Sequence, residues 1–335
     1  MRLSIILPVY NVEKFIPDCL ESLETQDLPK EEYEIICVDD GSPDNAAQVI
    51  REYQNKYPNI RLIRQENSGV CAARNNGFRA AQGDYVWFVD PDDYIEANCL
   101  QGIVDKLYEA QADFLVFEYD EVEENSVFDE KLQSDIIIEL QKEYASKGSA
   151  CQYICRRAYL EEHNISFNGD LAYGEDYLWA FQINYRRHVG LMTSAKIYHY
   201  RQRTGSAMHS RNKEKQLRHM NDMHRLALIY GEEYKRCEEE ELPKSILKEI
   251  KRRQALCIQS ALLDAVRFYK SKKELLDLLE EMKSEKLYPY KWLWWHLFSS
   301  KIMCPVRVRI LVLPFPMKRY VCFLNWLYRK KSKSA

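Results

Sequence analysis

The chain has 335 residues, 46% of them apolar, with 48 basic and 51 acidic residues and a formal net charge of −3. That is enough apolar material for one large core with appendages, and the balance does not point to nucleic acid as a partner. The charge is unevenly placed: from Lys286 onward there are eleven Lys and Arg and no acid, which leaves thirty-seven basic against fifty-one acidic residues before it, a net of −14.

The opening MRLSIILPVYN carries one Arg and an apolar run too short for a signal-peptide core or a membrane span. Leu3 to Val9 reads as a strand. Phe15, Ile16, Cys19, Leu20 and Leu23 then recur at helical spacing. A second strand, Tyr33 to Val38, ends at DDGSPD, where Ser42 suits an N-cap and Pro43 a first helical position, predicting a helix through Tyr53. IRLIRQ is a short third strand, and 69–81 is a helix whose small residues suit packing on a sheet. Tyr85-Val86-Trp87-Phe88-Val89 lacks polar alternation and predicts a strand buried on both faces. A helix near Leu100 to Ala110 and a fifth strand, DFLVFEY, complete a β-α alternation that argues for a largely parallel sheet covered by helices.

From about residue 120 the pattern changes. DEVEENSVFDEKLQSD reads as a polar loop or a hairpin, 151–200 is mixed, and 211–285 is helical and rich in Glu, Lys, Arg and Leu. The ten cysteines are scattered with no CxxC pair. Cys37, inside an apolar strand pattern, behaves as a small hydrophobe, so a reduced cytosolic setting is the expectation.

Two strands end in acid at the edge where open parallel sheets bind ligands: Asp39-Asp40 and Asp90-x-Asp92-Asp93. With the first strand between them, two strand spacings separate the clusters by roughly 10 Å, about the span of a nucleoside. Short carboxylates beside a diphosphate make sense with a hard divalent cation between them. No GxGxxG follows the first strand, which excludes the common dinucleotide fingerprint.

PVYN (8–11), VDDGSPD (38–44), ENSGVCAARNNG (66–77), FVDPDDY (88–94) and YGED (173–176) occur in the order and approximate spacing of family 2 glycosyltransferases, and residues 3 to about 210 resemble that family. The resemblance implies a GT-A type α/β fold, a mostly parallel sheet flanked by helices with a C-terminal helical extension. It divides the chain into a catalytic domain over 1–210 (nucleotide-sugar half 1–119, acceptor half 120–210), a helical extension over 211–285 and a tail over 286–335. It also implies inverting transfer from a nucleotide-diphosphate sugar, a UDP-sugar in first place, to a glycan or lipid-linked saccharide hydroxyl, in bacterial surface-polysaccharide synthesis.

Carried over residue by residue, Asp39 and Asp40 resemble the contacts to base and ribose, with Pro8 and Tyr10 shaping the base slot and Arg74 a basic contact to the nucleotide. Asp90 resembles the ribose or second-shell ligand, and Asp92 the ligand of Mn²⁺ or Mg²⁺. Asp93 is expected to cap the following helix. Asp176 is the implied base, Glu175 an acceptor or structural contact. IYHYRQRTGSAMHS (197–210) resembles the segment closing over the diphosphate, which makes His199, Arg201 and Arg203 secondary candidates. The Q-x-x-R-W of processive members is missing, so one sugar per binding event is expected. The alternative is a non-catalytic nucleotide-sugar-binding module of a membrane assembly complex.

The tail over 286–335 holds four of six tryptophans (292, 294, 295, 326) among basic residues, with Pro305, Pro314 and Pro316 interrupting its apolar runs. Indole rings favour the headgroup region and Lys and Arg attract anionic lipid. The expectation is a cytoplasmic protein held peripherally at the inner face of the membrane.

Overall fold

The computed structural model describes residues 1–129, 148–186, 189–203, 213–268 and 272–287. The chain forms two compact units, Met1–His209 and Ser210–Ala335.

In the first unit, β1 (Leu3–Val9), β2 (Tyr33–Asp39), β3 (Ile60–Arg64) and β4 (Tyr85–Phe88) pair in parallel in the order β3-β2-β1-β4. The sheet continues through β7 (Tyr153–Arg156), β6 (Phe114–Glu123), β8 (Gly190–Gln202) and the two-residue β5 (Tyr94–Ile95). β7 runs antiparallel to both β4 and β6, β8 is parallel to β6, and β5 is antiparallel to β8.

β1, β2 and β4 are buried throughout because the period-two alternation of side chains feeds two cores. On one face Leu3, Ile5, Leu7, Ile35, Cys37 and Trp87 join the core of α1 (Ile16–Glu24), α2 (Ala46–Lys56) and α4 (Leu100–Glu109). On the other, Ile6, Ile36, Val38, Val86 and Phe88 pack with α3 (Val70–Ala80), α5 (Arg157–Glu162) and α6 (Glu175–Tyr185). The helical spacing of Ile16, Cys19, Leu20 and Leu23 is what puts them on the sheet-facing side of α1.

Three local expectations differ from the structure. The helix expected to start at Pro43 starts at Ala46. The Ser42 amide is taken by Asp39, and the amides of Asn45 and Ala46 are met by the carboxylates of Glu13 and Asp44. Asp120 to Glu123, read as part of a polar loop or hairpin, continue β6 because they pair with His199 to Gln202 of β8; the end of that polar segment, 130–135, lies outside the described residues. Asp93 caps no helix: β5 follows it, and its buried carboxylate accepts the Arg201 amide at 2.8 Å and the Tyr198 hydroxyl at 2.6 Å.

The second unit contains α7 (Lys213–Glu239), α8 (Lys244–Phe268) and α9 (Lys272–Ser284). α7 and α8 form an antiparallel hairpin, joined by His219 to Asp264 at one level and by Gln254 to the Ala227 carbonyl at another. Among the described residues no helix is long and apolar enough to cross a membrane. The tail from 288 onward, and with it the membrane-surface expectation, lies outside the described residues.

Candidate active site

The strand order puts β1 between β2 and β4, so the two acidic strand ends flank the carboxyl end of β1. The Asp40 amide donates to the Val9 carbonyl, and the Val89 amide to the Ile6 carbonyl. Between them opens a cavity of about 480 Å³ whose walls include Pro8, Tyr10, Asp40, Asn67, Gly69, Val70, Asp90, Asp92, Glu175, Tyr200 and Arg203.

The two strand-end aspartates do different things. Asp39 is fully buried, its carboxylate held by the Ser42 amide and the Arg64 guanidinium at 2.9 Å each. Burial alone would raise its pKa, but these two partners hold it below the usual value. It faces the turn and β3. Asp40 lines the cavity, and its oxygens accept from Gln65, the Ser68 amide and the Gly69 amide. Gly69 sits at φ +89°, a conformation that suits glycine and aims its amide at Asp40 as α3 begins. Tyr10 is half exposed beside Val70, an aromatic face on the cavity wall next to Pro8.

On the opposite wall, Gly174 at φ +81° turns the chain so that Glu175 and Asp176 open α6. Trp179 and Ile183 anchor that helix in the core. Glu175 lines the cavity. Burial first, and then the neighbouring Asp176, push its pKa up to about 7. Asp176 stands next to it, is partly exposed and is not itself among the residues that line the cavity. Burial likewise raises its pKa, while Arg74 beside it acts in the opposite direction.

Arg74, expected to touch nucleotide, is 4% exposed and lies behind these carboxylates. Nη1 donates to Asp176 Oδ1 at 2.7 Å, Nη2 to Asp90 Oδ1 at 2.9 Å, and Glu175 lies 3.6 Å away. Asp92 is paired with Arg203 Nε at 2.6 Å. Its pKa is raised, first by burial and then by the adjacent Asp90, with Arg203 opposing both.

His199 and Arg201 are not brought to the cavity. β5 pairs Tyr94 with His199, so the imidazole stacks on Tyr94 at 4.7 Å and its Nε2 meets Glu96 at 2.7 Å. The Arg201 side chain is buried against Phe15 and Tyr94 and bonds Asp18 at 3.1 Å. Both are tied down by a two-residue strand that leaves no mark in the sequence. Asn67, Val70 and Tyr200 also line the cavity; the first two lie inside the ENSGVCAARNNG motif, whose family resemblance is the signal that could have found them.

Asp90 and Asp92 offer hard oxygen donors at the end of β4, suited to Mg²⁺ or Mn²⁺. Among the described residues no three or more His, Cys, Asp or Glu side chains assemble a cage. The fit is to a cation held by one or two carboxylates and completed by substrate phosphates.

Residues 4–163 match the family model described as Glycosyl transferase family 2. The poly(ribitol-phosphate) beta-glucosyltransferase of Bacillus spizizenii is 46% identical over 102 residues, 30% of this chain and 16% of that protein. EpsJ of Bacillus subtilis, described as an uncharacterized glycosyltransferase, is 32% identical over 187 residues, 52% of this chain and 53% of that one. The poly(ribitol-phosphate) beta-N-acetylglucosaminyltransferase TarS of Staphylococcus aureus is 32% identical over 206 residues, 60% of this chain and 35% of that one. The chain thus spans about half the length of these curated relatives or less. The crystal structure of S. aureus TarS 1-349 in complex with UDP-GlcNAc matches with a TM-score of 0.67 at 22% identity, covering 99% of this chain and 92% of that one. This likeness establishes the GT-A type α/β fold.

Proposed function

We propose a donor, an acceptor class and a division of catalytic labour for a chain that belongs to glycosyl transferase family 2 through residues 4–163 and is therefore a glycosyltransferase. The donor is a nucleotide-diphosphate sugar, a UDP-sugar in first place. The acceptor is a hydroxyl of a glycan or lipid-linked saccharide, in surface-polysaccharide synthesis at the inner face of the membrane. The observation that carries this reading is the cavity onto which the ends of β1, β2 and β4 and the start of α6 converge. Support for the donor also comes from TarS, whose solved complexes contain UDP-GlcNAc and UDP. Support for the setting comes from relatives named for poly(ribitol-phosphate) and minor teichoic acid synthesis.

The nucleobase stacks by Tyr10 and Pro8, with Asp40, immobilised by two backbone amides, accepting hydrogen bonds from the nucleoside. The diphosphate lies toward Asp90, Asp92 and Arg203. A bound Mn²⁺ or Mg²⁺, held by Asp92 with Asp90 beside it, would supply Lewis-acid stabilisation of the leaving diphosphate. Asp176 takes the proton of the acceptor hydroxyl as that oxygen attacks the anomeric carbon from the face opposite the leaving group, and the configuration inverts. Glu175, on the cavity wall with its pKa at about 7, orients the acceptor. Asp39 takes no part beyond shaping the turn. The tail over 286–335 is assigned to the anionic membrane surface on its composition alone.

A panel of UDP, GDP and TDP, each with and without Mn²⁺, tests the donor by thermal shift, because a ligand that binds the native state raises its melting temperature. UDP with Mn²⁺ is expected to stabilise most. No stabilisation by any nucleotide would overturn the reading. Co-sedimentation with anionic vesicles tests the tail: the full chain is expected to pellet and a chain ending at residue 285 to stay in solution.

A further inference from the structure

Arg74 joins the two sides of the cavity from behind. Asp90 belongs to the end of β4 and Asp176 to the start of α6, elements far apart in the chain, and the two guanidinium arms reach one carboxylate each. The guanidinium plane is itself fixed. It lies 5.0 Å over the Phe167 ring, and Phe167 stacks on Trp179 of α6 at 5.0 Å and 6° and meets Phe88 of β4 edge-on. The same aromatic cluster therefore spans the two elements whose carboxylates Arg74 grips.

We propose that Arg74 is a positioning residue that ties the Asp176 carboxylate to Asp90, so that the alignment of the base depends on the donor side of the site, and that Arg74 does not bind the nucleotide. The inference rests on the reading of Asp176 as the base. Three observations carry it. Arg74 is almost fully buried, whereas the carboxylates it holds are partly exposed. Its two terminal nitrogens are committed at 2.7 and 2.9 Å to carboxylates from different elements. It is the cation shared by Asp90, Glu175 and Asp176, and their combined charge keeps it protonated although burial works against it. A planar fork with two arms can hold both carboxylates at fixed angles; a lysine ammonium keeps the charge but has no such fork. Any shift of Asp90 when the diphosphate engages is then passed to Asp176 through a rigid group.

The test is Arg74→Lys, made in the full chain and in the Asp176→Asn background, with UDP affinity measured by calorimetry beside kcat and the donor and acceptor KM. The expected result is a fall in kcat of roughly 10–100-fold, the cost of a misplaced catalytic group, with UDP affinity changed less than about threefold. In the Asp176→Asn background the same replacement should cost almost nothing further, the non-additivity expected of residues that act as one unit. Weakened UDP binding with unchanged kcat would overturn the inference in favour of nucleotide contact. Equal losses in both backgrounds would overturn the link to the base while leaving the base itself assigned. Near-normal turnover by Asp176→Asn alone would overturn both. Should Arg74→Lys fail to fold, Phe167→Leu removes the aromatic shelf and leaves both ion pairs. It should lower kcat with UDP affinity intact, and an unchanged kcat in that variant would equally overturn the inference.

Discussion

The carboxylates of β2 and those of β4 and α6 differ in how far backbone amides hold them. Asp40 is met by the Ser68 and Gly69 amides, from the turn after β3, and Asp39 by the Ser42 amide, from the turn after β2, together with the Arg64 guanidinium. Asp90, Asp92, Glu175 and Asp176 are met by the guanidinium groups of Arg74 and Arg203. Backbone amides fix a carboxylate in place, and at Asp39 the Ser42 and Arg64 partners hold the pKa below the usual value although burial would raise it. On the second side burial first, and then the neighbouring carboxylates, raise the pKa values of Asp92, Glu175 and Asp176, while Arg203 and Arg74 act in the opposite direction. In the function proposed above, the first side holds the nucleoside through Asp40, and the second handles protons and leaving-group charge.

The largest expected effect sharpens this contrast at Asp176. Asp176→Asn keeps the shape and loses the proposed proton acceptor, so turnover should fall by roughly 10²–10⁴ while UDP affinity persists. Single-turnover kinetics beside calorimetry check it, and near-normal turnover would move the base to Glu175.

On the amide side the effect should be on stability instead. Asp40→Ala leaves the Gln65 amide group and two backbone amides without their acceptor. A loss of about 1–3 kcal/mol in urea unfolding is expected, together with weaker UDP binding. Full stability in that variant would break the distinction between the two sides.

Glu175 gives a pH test. Its folded pKa of about 7 lies above the ordinary 4.5. Between those values the folded state binds more protons than the unfolded one, so stability falls as pH rises through that window. Burial of the ionised group should cost on the order of 3 kcal/mol by neutral pH. Glu175→Gln should flatten the slope of stability against pH between those two values, and an unchanged slope would contradict the raised pKa. The smallest effect is at the nucleoside end, where Tyr10→Ala should weaken UDP binding by about 1 kcal/mol, the scale of a stacking contact, without altering kcat at saturating donor.

How much of this is legible in the sequence depends on whether the relevant partner is close in the chain. β1, β2 and β4 follow from apolar runs, and the cavity edge follows from their acidic ends. The start of α2 is displaced from the expected one because Glu13, which takes the Asn45 amide, lies thirty-two positions earlier. Asp93 resembles a helix cap because its true partners, Tyr198 and the Arg201 amide, are more than a hundred positions away. His199 and Arg201 look available because nothing in Tyr94-Ile95 announces a two-residue strand that pins one and covers the other. The role of Arg74 is hidden for the same reason: its motif marks it as functional, but only the fold reveals that it faces carboxylates rather than solvent.

In the proposed function the Asp90–Asp92 edge holds a nucleotide diphosphate through a divalent cation. Calorimetric titration of UDP into the full chain, with Mn²⁺ and with chelator, in wild type and Asp92→Ala, tests it most directly. Wild type is expected to bind UDP at least about tenfold more tightly with Mn²⁺, the scale of one coordination contact to phosphate, and Asp92→Ala to lose this difference while remaining folded. UDP affinity independent of Mn²⁺ in wild type, or an undiminished Mn²⁺ effect in Asp92→Ala, would contradict it.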